Sequence, residues 1–155
     1  MENKIAIPKG KKVFFASDNH LGAPNIDESK IRESHFLKWL NYVEKEVGAL
    51  FLLGDLFDFW YEYKTVVPKG FVRVLGKIAE ISDRGIPVHF FVGNHDQWMI
   101  NYFEDELGIN VYYQTKEFQI KKWKEVKNQN RKTFKLVQHK LTGFFSDFPN
   151  PKGDK

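Results

Sequence analysis

The chain has 155 residues, 42% of them hydrophobic, no cysteine and a formal net charge of +4. That length suits one domain, the apolar share excludes disorder over the whole chain, and the missing cysteines exclude disulfides, thiolate metal sites and cysteine nucleophiles. The charge is uneven: residues 1–119 carry 14 Lys/Arg against 17 Asp/Glu, residues 120–155 carry 10 against 3, so the basic balance belongs to the last quarter and does not by itself point to nucleic acid.

Strand and helix patterns alternate along the first 119 residues. Val13–Ser17 is a short apolar run that reads as a buried strand. Ile31, Phe36, Leu37, Leu40, Val43 and Val47 trace one face of a helix over about 29–47, with Asp27 or Ser29 as its N-cap. Ala49–Leu53 is a second strand, closed by Gly54. Phe71, Val74, Leu75, Ile78 and Ile81 recur at helical spacing until Gly85 and Pro87 end the helix. Val88–Val92 is a third strand, closed by Gly93; a short helix around Met99–Leu107 and a fourth strand at Asn110–Tyr113 follow. This alternation implies a parallel sheet. After Gln119 the pattern changes: only Thr133–Val137 looks strand-like. The chain is therefore divided into 1–119 and an atypical basic segment, 120–155. No apolar run approaches the ~20 residues that span a bilayer, and the N-terminus MENKIAIPKGKK has no apolar signal core, so a cytoplasmic setting is expected.

Each of the three apolar strands runs straight into a polar loop: Ser17-Asp18-Asn19-His20-Leu21-Gly22, then Gly54-Asp55-Leu56-Phe57-Asp58, then Gly93-Asn94-His95-Asp96. The loops recur about one strand–helix unit apart, so in a parallel sheet all three emerge at the carboxyl edge, where ligand sites lie. Carboxylates, an amide oxygen and imidazoles together suit hard or borderline divalent ions. Asp18 and His20, two apart on an extended segment, would point to one side. Asp55 has oxygens enough to bridge two ions. Any one such loop is ordinary turn or cap chemistry; three at matched spacing, each with an Asp/His or Asn/His pair, are not. The aromatic run Phe57, Phe59, Trp60, Tyr61 and Tyr63 reads either as a wall for apolar chains or as core packing beneath the site.

The series D-x-H, G-D-x-x-D, G-N-H-D resembles that of calcineurin-like metallophosphoesterases. The wider text, SDNHLG, LLGDLFDFWYEY and FFVGNHDQWM, is similar to the UDP-2,3-diacylglucosamine pyrophosphohydrolase branch in its Bacteroidetes-like form, over roughly residues 11–119. The resemblance implies an α/β fold, a β-sandwich flanked by helices (αββα), of which this chain holds the N-terminal part. It implies two divalent metal ions, usually Mn(2+): Asp18 and His20 on the first, Asp55 bridging, Asn94 on the second. It implies His95 as a catalytic residue facing the phosphate, Asp96 orienting His95, Asp58 holding the loop or a ligand histidine, and substrate contacts from Asn94, His95 and Trp98. The reaction implied is cleavage of the pyrophosphate of a nucleotide-linked lipid, UDP-2,3-diacylglucosamine, to UMP and lipid X, with peripheral association at the inner face of the membrane.

The chain departs from the family where the site is completed by later histidines, one in His-Gly-Asp and a pair in His-x-His. Its five histidines are His20, His35, His89, His95 and His139. His35 reads as a surface or packing residue of the first helix and His89 as a core residue of the third strand. His139 is a candidate ligand for the second metal, with Lys140 and Leu141 in place of Gly and Asp; the pair is absent. With so few strands, the apolar back of the sheet is expected to be uncovered unless the tail or a partner covers it. Two other readings stand beside the hydrolase. One is a metallophosphoesterase acting on nucleotides, nucleic acid or phosphoproteins. The other is a non-catalytic remnant whose basic tail (Lys121, Lys122, Lys124, Lys127, Arg131 and Lys132) binds anions.

Overall fold

The structure, a computed structural model, describes residues 3–122 and 132–136. The elements in chain order are β1 (Asn3–Ile7), β2 (Lys12–Ala16), α1 (Ile26–Val43), β3 (Val47–Leu53), α2 (Val72–Asp83), β4 (Val88–Phe91), α3 (Tyr102–Asp105), β5 (Asn110–Tyr112), β6 (Lys116–Lys122) and β7 (Lys132–Leu136).

Strands β2, β3, β4 and β5 form one wholly parallel sheet in that order. β3 and β4 are its inner strands, and the uninterrupted apolar sequence VGALFLL of β3 is what a strand buried on both faces requires. Alternation then sorts its side chains. Leu50 and Leu52 face Phe36, Leu40 and Val43 of α1 and Val74, Ile78 and Ile81 of α2. Ala49 and Phe51 face the other way, against Ile5, Ile7, Phe118 and Ile120. The two helices are tied by an ion pair between Glu44, which caps α1, and Lys77 of α2.

The back of the parallel sheet is therefore covered, and the tail takes part in covering it, since Ile120 and the strand β7 belong to residues 120–155. A second sheet in the order β1-β6-β7 does this, with β1 parallel and β7 antiparallel to β6. Neither β1 nor β6 was expected. NKIAI is only five residues long, and KEFQIKK sets two apolar residues among three lysines, so neither stands out in the sequence. β7 lies where Thr133–Val137 was expected, one residue earlier, and β6 runs through position 119, where the composition changes.

Boundaries shifted for local reasons. α1 begins at Ile26 because Asn25 is the N-cap: its side chain accepts the Glu28 N–H at 3.0 Å. Asp27 falls in the first turn, and Ser29 is buried. Val47 belongs to β3 rather than to the helix. The helix expected over Met99–Leu107 contracts to a single turn at Tyr102–Asp105.

Candidate metal centre

The three loops continue the sheet beyond its regular strands. Asp18 N–H donates to the Gly54 carbonyl at 3.2 Å, His20 N–H to Asp55 at 2.9 Å, Leu21 N–H to Leu56 at 3.0 Å and Asp58 N–H to Leu21 at 2.9 Å. The first two loops thus run side by side. Asp18, His20 and Asp55 all have left-handed backbone, with φ of 54°, 42° and 51°. Such φ values are uncommon for residues with a side chain and gather at functional sites. They replace the extended geometry expected for Asp18 and His20: it is two left-handed turns, not strand alternation, that bring these side chains together.

The third loop is locked onto the second. His95 N–H donates to Asp55 Oδ1 at 3.0 Å. A Cβ on Gly93 would stand 2.2 Å from the same oxygen, so only glycine permits the approach. Asp96 is wholly buried, and its carboxylate accepts the N–H of Phe57 and of Gly93, each at 3.4 Å. Burial pushes its carboxyl up to about 6, against the pull of those two N–H groups.

Donor atoms of Asp18, His20 and Asp55 lie within 4.8 Å of one another, and so do those of His20, Asp58 and His95. Two carboxylates and an imidazole at such spacing fit a divalent cation. In the second group the His95 ring is already engaged. Its Nδ1 lies 2.6 Å from the Asp58 carbonyl, so it donates there, and among the described residues no hydrogen bond engages Nε2. That bond, then the charges of Asp55, Asp58 and Asp96, holds the His95 imidazole above its ordinary pKa, while desolvation opposes them. The Asp58 side chain approaches His20 Nδ1 at 3.4 Å, and the rings of His20 and His95 meet edge to face at 4.6 Å. Where Asp96 was expected to orient His95, the ring is held by the Asp58 main chain; the Asp96 carboxylate instead binds the N–H groups of Phe57 and Gly93.

Asn94 is exposed, between the two residues that touch Asp55. Trp98 is 48% exposed and packs 5.4 Å from Phe59. The aromatic run divides: Trp60 and Phe57 are fully buried, whereas Phe59, Tyr61 and Tyr63 are exposed. His35 is exposed on α1 and His89 is buried in β4. His139 lies outside the described residues. Two supporting residues had no signal in the sequence. Arg32, a dozen residues along in α1, donates from Nη1 to the carbonyls of His20 at 2.9 Å and Asn19 at 3.3 Å, clamping the first loop. The Ser17 hydroxyl bonds the Asp18 carboxylate and sits 3.1 Å from the Leu53 carbonyl.

Comparison with known proteins agrees with this geometry. The profile described as calcineurin-like phosphoesterase matches residues 11–152. A protein of Porphyromonas gingivalis named UDP-2,3-diacylglucosamine hydrolase is 46% identical over 101 residues, covering 65% of this chain and 38% of its own length. Proteins of the same name from Histophilus somni and Nitrosococcus oceani are 30% identical over 106 residues and 32% over 99, covering 65% and 63% of this chain and 41% and 37% of their own. The chain thus spans about two fifths of the length of these relatives.

Proposed function

Since this chain belongs to the calcineurin-like phosphoesterase family, we propose that its three loops serve the metal-dependent hydrolysis of a phosphoric ester, the pyrophosphate of UDP-2,3-diacylglucosamine, giving UMP and lipid X in lipid A synthesis. The observation that carries the reading is the convergence of Asp18, His20 and Asp55 donors within 4.8 Å, with the third loop fastened to Asp55.

In this proposal Asp18, His20 and Asp55 hold one divalent ion. Asp55 and Asn94, with His139, hold a second, and Mn(2+) is the proposed metal. Bound there, such ions supply Lewis acidity toward phosphoryl oxygens and lower the pKa of water toward neutrality. His95 does the chain's own proton work. Its Nδ1–H is fixed on the Asp58 carbonyl, which leaves Nε2 as the atom to meet a phosphoryl or departing oxygen. Asn94 would contact the same phosphate, and Asp96 keeps the second and third loops in register. Trp98, beside Phe59 and Tyr61, offers an apolar face to the acyl chains. All of these residues except His139 lie within 1–119, and the basic segment 120–155 is proposed as the part that supplies His139. Among the described residues no helix is long and apolar enough to cross a membrane. The proposed setting is the cytoplasmic face of the inner membrane, held peripherally, where a diacylated substrate lies.

The test is Mn(2+)-dependent hydrolysis of bis(p-nitrophenyl) phosphate, and UMP release from UDP-2,3-diacylglucosamine, by the chain and by Asp55→Ala. Loss of a direct ligand should exceed the roughly 10–100-fold typical of outer-sphere partners. Activity that survives Asp55→Ala removes the shared ligand from the scheme. Tight Mn(2+) binding without turnover in the unaltered chain would reassign it to a metal-binding remnant.

A further inference from the structure

A buried acid sits in the middle of the aromatic run and belongs to none of the three loops. Glu62 is 6% exposed, and three donors converge on its carboxylate. Trp60 Nε1 donates to Oε1 at 3.0 Å; the N–H groups of Asn101 and Tyr102 donate to Oε2 at 2.9 and 3.1 Å. The last two are the amides of the N-cap and of the first residue of α3, which has no side-chain cap of its own. In addition, Glu62 N–H donates to the Trp98 carbonyl at 3.1 Å, and Tyr61 pairs with Trp98 as a parallel bridge. One carboxylate therefore staples the segment leaving the second loop to the segment leaving the third.

What the staple holds is the apolar surface beside the site. Phe59, Tyr61 and Tyr63 alternate outward on one segment, Trp98 stands on the other, and a groove of about 590 Å³ runs along Phe59, Tyr61, Tyr63, Val66, Val67 and Pro68. The same two segments carry Asp58 and His95, which are joined at 2.6 Å. The spacing between the groove and the Asp58–His95 contact is thus set by how the two segments are pinned. We infer that Glu62 is a positioning residue that fixes the aromatic shelf against the metal centre and so governs discrimination between acylated and bare phosphoric esters. The inference rests on the reading of the site given above. It needs the full carboxylate, because a carboxamide cannot accept from both sides: its NH2 would oppose either the indole N–H or the α3 amides.

The test is binding of dodecyl phosphate and of inorganic phosphate to the Mn(2+)-loaded full chain, followed by calorimetry. The unaltered chain should prefer dodecyl phosphate by about tenfold or more, as burial of a few methylenes gives. Glu62→Gln should cut that preference by about fivefold, with affinities for Mn(2+) and inorganic phosphate unchanged. Trp98→Ala, at an exposed position, should cut it likewise, and the double variant should lose no more than Trp98→Ala alone. If Glu62→Gln does not fold, Trp60→Phe removes one donor and should give a smaller drop in the same ratio. An unchanged ratio, an equal loss of both phosphates, or no preference in the unaltered chain overturns the inference. Failure to hydrolyse esters with the binding split intact counts against the catalytic reading alone and leaves the role of Glu62 standing.

Discussion

Gly93 and His89 lie on and just beyond the same strand and answer to opposite demands. At Gly93 any side chain collides with Asp55, since its Cβ would meet Oδ1 at 2.2 Å and the Asp55 N at 2.5 Å. Gly93→Ala should therefore cost about 1–3 kcal/mol, as forced overpacking does, and weaken Mn(2+) binding, both read from thermal melts and metal titration. Unaltered Mn(2+) affinity in that variant would mean that the loops need not touch. At His89 the demand is for filling. The ring stacks 4.7 Å from Phe51 and lies tilted 4.9 Å from Phe118, Nδ1 pairs with the Tyr112 hydroxyl at 3.0 Å, and Nε2 is buried with no partner among the described residues. Burial, helped by the charge of Lys116, lowers its pKa to about 4. The unfolded ring titrates near ~6.5, so between those values the unfolded chain binds more protons. Stability from this group is complete above pH ~6.5 and is lost as pH falls toward 4, by up to about 3 kcal/mol. Asp96 acts in the other direction. Its folded carboxyl, near 6, gains a proton before the unfolded one, so stability rises as pH falls below 6. His89→Phe keeps Asp96 and removes the imidazole. Urea melts at pH 7.5 and 5 should show the variant losing less, or gaining more, than the unaltered protein; equal slopes in both would contradict a neutral buried ring.

Among the elements, β6 decides whether the parallel sheet has a covered back. Phe118 is 2% exposed and meets Phe51 at 5.3 Å, His89 at 4.9 Å and Tyr112 at 5.7 Å. Phe118→Ala should destabilise by about 3–5 kcal/mol, as loss of a buried phenyl ring does, measured by denaturant titration. A cost under about 1 kcal/mol would mean that the second sheet contributes little packing. This element also shows where reading from sequence stops. β3 was legible over Ala49–Leu53, where a short apolar run closed by Gly54 reads as a buried strand, while its first residue, Val47, was read into the helix. β6 places Phe118 and Ile120 among Lys116, Glu117, Gln119, Lys121 and Lys122, and becomes a strand because β1 and β7 pair with it on either side. α1 was legible from its apolar stripe, but its start was set by one side-chain bond from Asn25, which competes with equally plausible caps at Asp27 and Ser29.

For the molecule as a whole, ion binding and folding are linked through the loops. A ligand that binds only the folded state at 100 times its Kd stabilises by about 2.7 kcal/mol, so Mn(2+) should raise the melting temperature by several degrees. The shift should vanish in Asp55→Ala. A shift of equal size in that variant would place the ion elsewhere.

Residue type and spacing, read from the sequence alone, determined that strands alternate with helices, that three polar loops share one edge, and that their oxygens and nitrogens suit a divalent cation. Those are local properties: period, turn chemistry and ligand chemistry repeat within a few residues. Only the tertiary structure decided that Asp18, His20 and Asp55 take left-handed turns, that the Asp58 main chain rather than Asp96 holds His95, that Arg32 and Glu62 brace the loops, and that a second sheet closes the core. Each of these depends on which strands lie side by side and in what register, and hydrogen bonds between segments some 12 to 114 residues apart leave no periodic trace in the chain that makes them.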